Sequence, residues 1–227
     1  MKFTHAQNGV KKIFTAEILN LIAQISLVPL LIISILGIDG EELSSALEEK
    51  APKYLIIILV LILAALVTFV VANIISIIGV VKASKDEPSF RIALLGIVTV
   101  IVSAAAATFL SNYDTASAVC TTVSQIASLG VTFFIMRGIR NLAIRLEDDE
   151  MEIRGDNFFK LFFILILVTA VMRFVSKVFT NEVGTVLSII MTVLAGILTI
   201  IQYILYLSYL SKSRKMLEKE VPEQPVD

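Results

Sequence analysis

Residues 54–81 read YLIIILVLILAALVTFVVANIISIIGVV, which is 28 consecutive positions without a charged side chain. The apolar residues show no period-two alternation, so the stretch does not fit a strand of a membrane barrel. A backbone in lipid has to satisfy its own hydrogen bonds, and a helix does so within one segment. At about 1.5 Å per residue, this helix would exceed the ~30 Å hydrocarbon core of a bilayer. The stretch therefore predicts a transmembrane helix that tilts or extends beyond the membrane.

Five further apolar runs flank this one, separated by charged residues and turn formers. The six runs cover residues 13–37, 54–81, 92–110, 116–136, 161–179 and 185–210. The first run is too long for a signal peptide and no small-residue cleavage site follows it, so we expect a retained span. The chain is 57 % apolar and 17 % charged, a balance typical of membrane proteins. The sequence predicts an all-α integral membrane protein with a single six-helix transmembrane domain and a cytoplasmic tail over residues 211–227.

Lysine and arginine are distributed unevenly around these runs. Fifteen lie beside the spans on one side and four on the other. Positively charged flanks stay in the cytoplasm, and an even number of spans puts both termini on the same side. We therefore expect cytoplasmic N- and C-termini. The compact size, short loops and absence of targeting signals favour a prokaryotic plasma membrane.

Small residues recur at every fourth position in the even-numbered runs, a spacing that lets helix backbones approach closely in lipid. These ladders are Ala64, Thr68, Ala72 and Ser76; Ala116, Cys120, Ser124 and Ser128; and Gly184, Ser188, Thr192 and Gly196. Together with short outer links they predict three helical hairpins and a pseudo-threefold internal repeat. The alternative is that such ladders arise by chance, because small residues are common in membrane helices. The fourth run also keeps helical apolar spacing through residues 137–146 while becoming cationic, which predicts a helix that protrudes from the membrane.

Polar side chains inside the runs are costly in lipid and are therefore candidates for function. The candidate intramembrane polar site consists of Glu17, Asn20, Gln24, Asn73, Gln125 and Gln202. In the functional interpretation, Glu17 is an ion or proton site, and the four amides line a cavity for a neutral or zwitterionic solute. In the alternative, Glu17 is an interfacial carboxylate beside Lys11 and Lys12, and the polar faces are ordinary interhelical hydrogen-bonding surfaces.

A candidate outer basic pair, Arg173 and Lys177, lies one helical turn apart in the fifth run. Long cationic side chains at that depth can extend to the headgroups or pair with outer carboxylates. The alternative is that they receive an anionic ligand from outside.

Several chemistries have no basis in this sequence. His5 is the single histidine, so neither a histidine-based zinc site nor a Ser-His dyad can form within the membrane. Nucleotide-binding glycine motifs are missing. The acidic run over residues 147–156 lacks the spacing of a calcium loop and is expected to be a solvated linker. We therefore expect no catalytic residues, no metal and no cofactor, and the net charge of −1 argues against a nucleic-acid partner.

The leading functional hypothesis is a non-enzymatic small-solute transporter or an integral accessory subunit of a transport system. The alternative is a membrane scaffold, sensor or immunity-type interaction protein without transport activity. The expected partner is the lipid bilayer, with a membrane or cytoplasmic protein or a second copy of the chain as further candidates.

Overall fold

The computed structural model describes residues 3–35, 52–178 and 182–219, and it leaves out the side chains of 27–35, 52–58, 169–170, 172–178, 182–189 and 192. The described residues form six helices and no strand. They are α1 (Thr4–Ile35), α2 (Pro52–Ala83), α3 (Ser89–Phe109), α4 (Asp114–Arg145), α5 (Asp149–Val178) and α6 (Glu182–Lys219). The predicted all-α class is confirmed.

Four segments are long and apolar enough to cross a membrane among the residues described. They are Leu59–Ala83, Ser89–Phe109, Asp114–Arg145 and Val193–Lys219, which belong to α2, α3, α4 and α6. Large apolar side chains on these helices are left exposed, as at Leu95 (68 %) and Phe109 (84 %). Such surfaces are consistent with contact with lipid acyl chains. The first and fifth predicted runs are also helical over their described residues, up to Ile35 and Val178, and their crossing of a membrane stays a prediction.

The helices extend beyond the apolar runs where the sequence becomes charged. α4 continues to Arg145, which confirms the predicted helical continuation. The expected solvated linker over residues 147–156 is wrong, because α5 already begins at Asp149. Asp148 Oδ1 accepts a hydrogen bond from the Met151 N–H at 3.0 Å, and carboxylates in a first helical turn are favoured by the helix dipole.

The turn between α4 and α5 closes with Glu147 in the left-handed region, at φ 55°. The Asp148 N–H bonds to the Ala143 carbonyl at 3.1 Å, and the Glu147 N–H bonds to the Ile144 carbonyl at 3.2 Å. This pair of hydrogen bonds is the Schellman motif that ends many helices. The acidic run therefore contains a tight turn followed by two helical turns.

The chain divides into two compact units, which are described separately. One contains residues 11–79, the larger parts of α1 and α2. The other contains residues 1–10 and 80–227, and in it α3 packs along α4, α4 against α5, and α5 against α6. Helices that follow one another in the chain, α3 with α4 and α5 with α6, therefore also pack against each other in this unit. The three-hairpin arrangement and the threefold repeat stay predictions.

The best-packed part of the larger unit lies at the charged ends of its helices. Phe90, Ile139, Leu142 and Leu210 are fully buried there. Two turns further along α3, the Val131 side chain packs directly on the Gly96 backbone, because a Cβ at Gly96 would lie only 2.8 Å from Val131 Cγ2 and 3.6 Å from the Ala127 carbonyl oxygen. The unit therefore has a side-chain core where α3 begins and α4 and α6 end, which we call the basic end because of the lysines and arginines there. Along its apolar length the helices pack through small residues.

Gly138 provides a direct test of that core. A Cβ at this position would lie 2.6 Å from Cε2 of the fully buried Phe90 ring. We expect Gly138→Ala to lower the free energy of unfolding by about 1–3 kcal/mol, the usual cost of overpacking. Gly130→Ala is the matched control, because a Cβ there meets nothing within 4 Å, and it should stabilise the helix by up to about 1 kcal/mol. Thermal unfolding in detergent measures both; equal midpoints for the two variants would contradict the packing described.

Candidate functional site

The predicted polar residues fall into both units. Glu17, Asn20 and Gln24 lie on α1, and Asn73 lies on α2. Gln24 is exposed, and Oδ1 of Asn20 is buried without a hydrogen-bond partner among the described residues. Asn73 Nδ2 donates to the Phe69 carbonyl at 2.8 Å, one turn back on its own helix. Three of these residues thus have no described partner on another helix that would hold them in a shared site, and Glu17 is half-exposed.

Gln125 and Gln202 belong to the larger unit. Gln125 is exposed on α4, and Gln202 is half-buried on α6. Because Gln24 and Asn73 belong to the other unit, the convergence of the four amides on one cavity stays a prediction.

Gln125 lines an open polar groove of about 420 Å³ on α4 and the turn before it. The groove is lined by Ser111, Asp114, Ser117, Ala118, Thr121, Thr122 and Gln125. At 3.6 residues per turn, its helical members share one side of α4. This side belongs to a helix that is long and apolar enough to span a membrane, so the groove is a polar surface on a candidate span.

The hydrogen bonds of the groove determine which atoms are free for a ligand. The hydroxyls of Thr121 and Thr122 donate to carbonyls one turn back, at 2.9 and 2.8 Å. Ser117 Oγ donates to the Ala107 carbonyl of α3 at 3.2 Å. The Gln125 amide and the Asp114 carboxylate make no hydrogen bond with any described residue. The groove therefore offers an amide, a carboxylate and hydroxyl acceptor lone pairs, a set suited to an uncharged or zwitterionic polar molecule.

A second polar cluster lies at the basic end and was missed by the sequence analysis. Glu87, in the α2–α3 link, is 2 % exposed. Its Oε2 lies 2.9 Å from an Arg145 guanidinium nitrogen, and its Oε1 accepts from Asn141 Nδ2 at 2.9 Å and from Ser89 Oγ at 3.0 Å. The cluster joins the start of α3 to the end of α4. A buried carboxylate with three partners is a structural clamp, since its charge is compensated within the fold.

The neighbouring residue extends this clamp to the N-terminal segment. Asp86 Oδ2 accepts from the Ala6 N–H at 2.7 Å, which satisfies one of the unpaired donors at the start of α1. The Asp86 carbonyl also accepts from Arg145 at 3.2 Å. Asp86 and Glu87 thus fasten three chain segments within the larger unit.

A further ion pair joins α4 to α5. Arg140 Nε lies 2.6 Å from Asp156 Oδ1, and its guanidinium lies 3.9 Å from Glu152. Gly155 allows the buried Tyr209 hydroxyl to approach, since a Cβ there would be 3.0 Å from that oxygen. The Tyr209 ring stacks on Phe158 at 5.3 Å between centroids, so α6 is held in the same layer.

These ion pairs are hard to predict from the sequence. Counting charges beside the spans counts Arg140 and Arg145 only as cytoplasmic flanking residues, whereas their carboxylate partners lie 16 and 58 positions away. Only the turn at residues 146–148 places Asp156 opposite Arg140, one helix against the other. A carboxylate next to a helix start, as at Glu87 before Ser89, was the one local signal that could have indicated a specific role.

The outer basic pair lies near the end of α5, and the side chains of Arg173 and Lys177 lie outside the described residues. Within the described ranges, no cluster of three or more histidine, cysteine or acidic side chains could hold a metal ion. No protein-family model, curated protein or solved structure matches the chain.

The buried clamp predicts a large effect of removing its cation. Arg145→Gln leaves the Glu87 carboxylate buried without its counter-charge, and we expect a loss of about 2 kcal/mol of stability. This is below the ~3–5 kcal/mol of a fully buried pair because Arg145 is 47 % exposed and solvent screens the interaction. The loss is measured as a lower midpoint of thermal unfolding.

The control for this experiment is Arg154→Gln, which removes an exposed pair with Glu150 within α5. Such a pair contributes about 0.3–0.5 kcal/mol. Adding Glu87→Gln to Arg145→Gln should recover part of the loss, since an amide costs less to bury than an unpaired carboxylate. An effect of Arg145→Gln no larger than that of the control would rule out the clamp.

Proposed function

We propose that this chain is a multi-pass membrane protein that provides a polar pathway for a small solute, either as a transporter or as an integral accessory subunit of a transport system. The observation that supports it is the groove around Gln125, a polar surface on a helix that is otherwise apolar enough to span a membrane. Polar groups at such depth are costly unless they face water, another polar surface or a ligand. The groove's amide and carboxylate lack described partners and are available to a solute.

The membrane arrangement of this proposal has six spans with both termini in the cytoplasm of a prokaryotic plasma membrane, built as three hairpins with a threefold repeat. Its support is the distribution of fifteen cations beside one set of span ends and four beside the other. In this arrangement the groove opens toward the outer face, and the Glu87 clamp lies on the cytoplasmic side. The proposed role is non-enzymatic and needs no cofactor.

An interaction protein, such as a scaffold, sensor or immunity factor, is the second candidate. It is favoured by the Glu87 and Arg140 ion pairs, which would hold the cytoplasmic helix ends in a fixed arrangement suitable for docking. In this candidate the polar side of α4 packs against a helix of another protein instead of facing water. The two candidates therefore differ in whether the polar side of α4 is in contact with water.

Cysteine accessibility distinguishes these candidates. Cys120 is the single cysteine, so a Cys120→Ser background allows one reporter at a time. We expect Thr121→Cys and Gln125→Cys to react with a charged, membrane-impermeant thiol reagent, because only a thiol in contact with water forms the reactive thiolate. Val123→Cys is the matched control and should stay unlabelled, because Val123 is exposed and lies on the opposite side of the same helix from Thr121 and Gln125. Labelling is quantified by mass shift; silent thiols at 121 and 125 would favour the interaction protein.

Solute binding provides the second test. A panel of amino acids, sugars, polyols and betaines is screened for stabilisation of the purified protein, since a bound ligand raises the unfolding midpoint. We expect a stabilising solute whose effect is abolished by replacing Gln24, Gln125 and Gln202 with Leu, and strongly reduced by Gln125→Leu alone. Gln7→Leu, outside the apolar runs, is the control and should leave the shift unchanged. A shift that survives the triple replacement would exclude these amides from the pathway.

A further inference from the structure

An apolar crevice lies between α4 and α5, on a different side of α4 from the polar groove. Its volume is about 220 Å³, below the ~300–1,000 Å³ typical of sites for whole small molecules. Its walls include Gly130, Phe133, Phe159, Phe162, Phe163 and Ile166. The shape and the wholly apolar walls suit part of an acyl chain.

Aromatic side chains from both helices form the walls of this crevice. Phe133 and Phe159 meet edge to face with centroids 5.0 Å apart, and Phe162 is 6 % exposed. Phe163 is 69 % exposed at the opening, and no side chain fills the space above Gly130. The crevice is therefore open on the same side as the exposed apolar surface of α5.

Two cations stand at the basic end of the crevice. Arg137 is two turns beyond Gly130 on the same side of α4, and Lys160 precedes Phe163 by one turn of α5. Because the two helices run in opposite directions, both cations lie on the side of the crevice nearer the Arg140–Asp156 pair. The cations are thus next to an apolar channel and at its charged end.

The pairing of the basic residues separates these two from their neighbours. Arg140 and Arg145 are neutralised by carboxylates, and Arg154 pairs with Glu150. Arg137 and Lys160 are both exposed and make no ion pair or hydrogen bond with a described residue. Their charge is available to an anion outside the protein.

We propose that this crevice and the two cations form a binding site for an anionic phospholipid, with one acyl chain against the phenylalanines and the phosphate between Arg137 and Lys160. A phospholipid has an apolar acyl chain that fits the phenylalanine crevice. It also has an anionic phosphate at one end of that chain, where the two cations lie. Basic pockets between membrane helices recognise lipid headgroups in this way. The site is separate from the polar groove, so it stands whether or not the chain carries a solute.

The absence of tryptophan from the sequence provides a clean reporter. Phe163→Trp places one indole at the opening of the crevice, and Leu95→Trp places a control indole on the exposed side of α3. Each protein is reconstituted into vesicles of phosphatidylcholine and phosphatidylglycerol, in two preparations. In one, the phosphatidylglycerol carries brominated acyl chains, which quench the indole. In the other, an equal amount of the phosphatidylcholine carries them. We expect the reporter at 163 to be quenched preferentially by phosphatidylglycerol and the one at 95 equally by both lipids.

Further replacements test the two parts of the site. Arg137→Gln and Lys160→Gln should each lower the preference for phosphatidylglycerol about fivefold, the contribution of one cation near an anionic lipid. Lys212→Gln, an exposed lysine on α6, should leave it unchanged. Gly130→Leu should reduce quenching by both lipids, whereas Gly196→Leu, at another helical glycine with open space, should not.

Equal quenching by the two lipids at position 163, or a preference that survives removal of both cations, would overturn the proposal. Native mass spectrometry of the unsubstituted chain, titrated with the same two lipids, provides a measurement that does not depend on the reporter. It should show more retained phosphatidylglycerol than phosphatidylcholine, with the difference lost in the Arg137→Gln, Lys160→Gln double variant. Equal retention would contradict the site.

Discussion

The hydrogen bonds of the backbone constrain this chain more than any side-chain contact does. Long apolar runs in lipid have no water to satisfy their N–H and C=O groups, and so they form helices. In lipid, however, burying an apolar side chain gains little, because the acyl chains are equally apolar. The apolar lengths of α3 and α4 accordingly meet through small residues such as Gly96. The densest side-chain packing, around Phe90 and Leu210, lies instead at the charged helix ends.

At those ends the arrangement of carboxylates determines what each cation does. Glu87 neutralises Arg145, and Asp156 neutralises Arg140. Two arginines whose positions in the sequence are typical of membrane-flanking charges therefore form ion pairs between segments of the larger unit. The opposite charges are far apart in sequence and are brought together only by the turns between helices. Arg137 lies on the same helix but is exposed and without a carboxylate among the described residues. One basic helix end therefore contains both structural and available cations.

The helices could be predicted from the sequence because long apolar runs determine them locally, as for residues 54–81 and α2 (Pro52–Ala83). The charged extension of α4 could be predicted from its helical apolar spacing, whereas that of α5 could not, since helical structure at Asp149–Val178 begins within an acidic run. That run is helical because the Schellman turn, the Asp148 cap and the pairing of Asp156 with Arg140 stabilise it, and two of these depend on neighbouring structure. Of the candidate site, Gln125 lines a polar groove on α4, and its role in an intramembrane site stays a prediction. The phenylalanine crevice needs two helices in register, and no single segment encodes it.

α4 shows how one helix can serve several surroundings at once. Ser117 and Val131 lie toward α3, whereas Gly130 and Phe133 lie toward α5. The remaining side, with Gln125, is polar. A helix with one core-facing side would show a clear amphipathic period, but three different sides spread the polar and apolar residues around the whole circumference. The sequence of α4 therefore looks like a weakly polar span without a preferred side. In the structure, one side packs on α3, one faces α5 and one lines the polar groove. Gln125 makes no hydrogen bond with the described residues of α3 or α5, and a polar side chain is costly in lipid, which is the physical reason to look for function on that side.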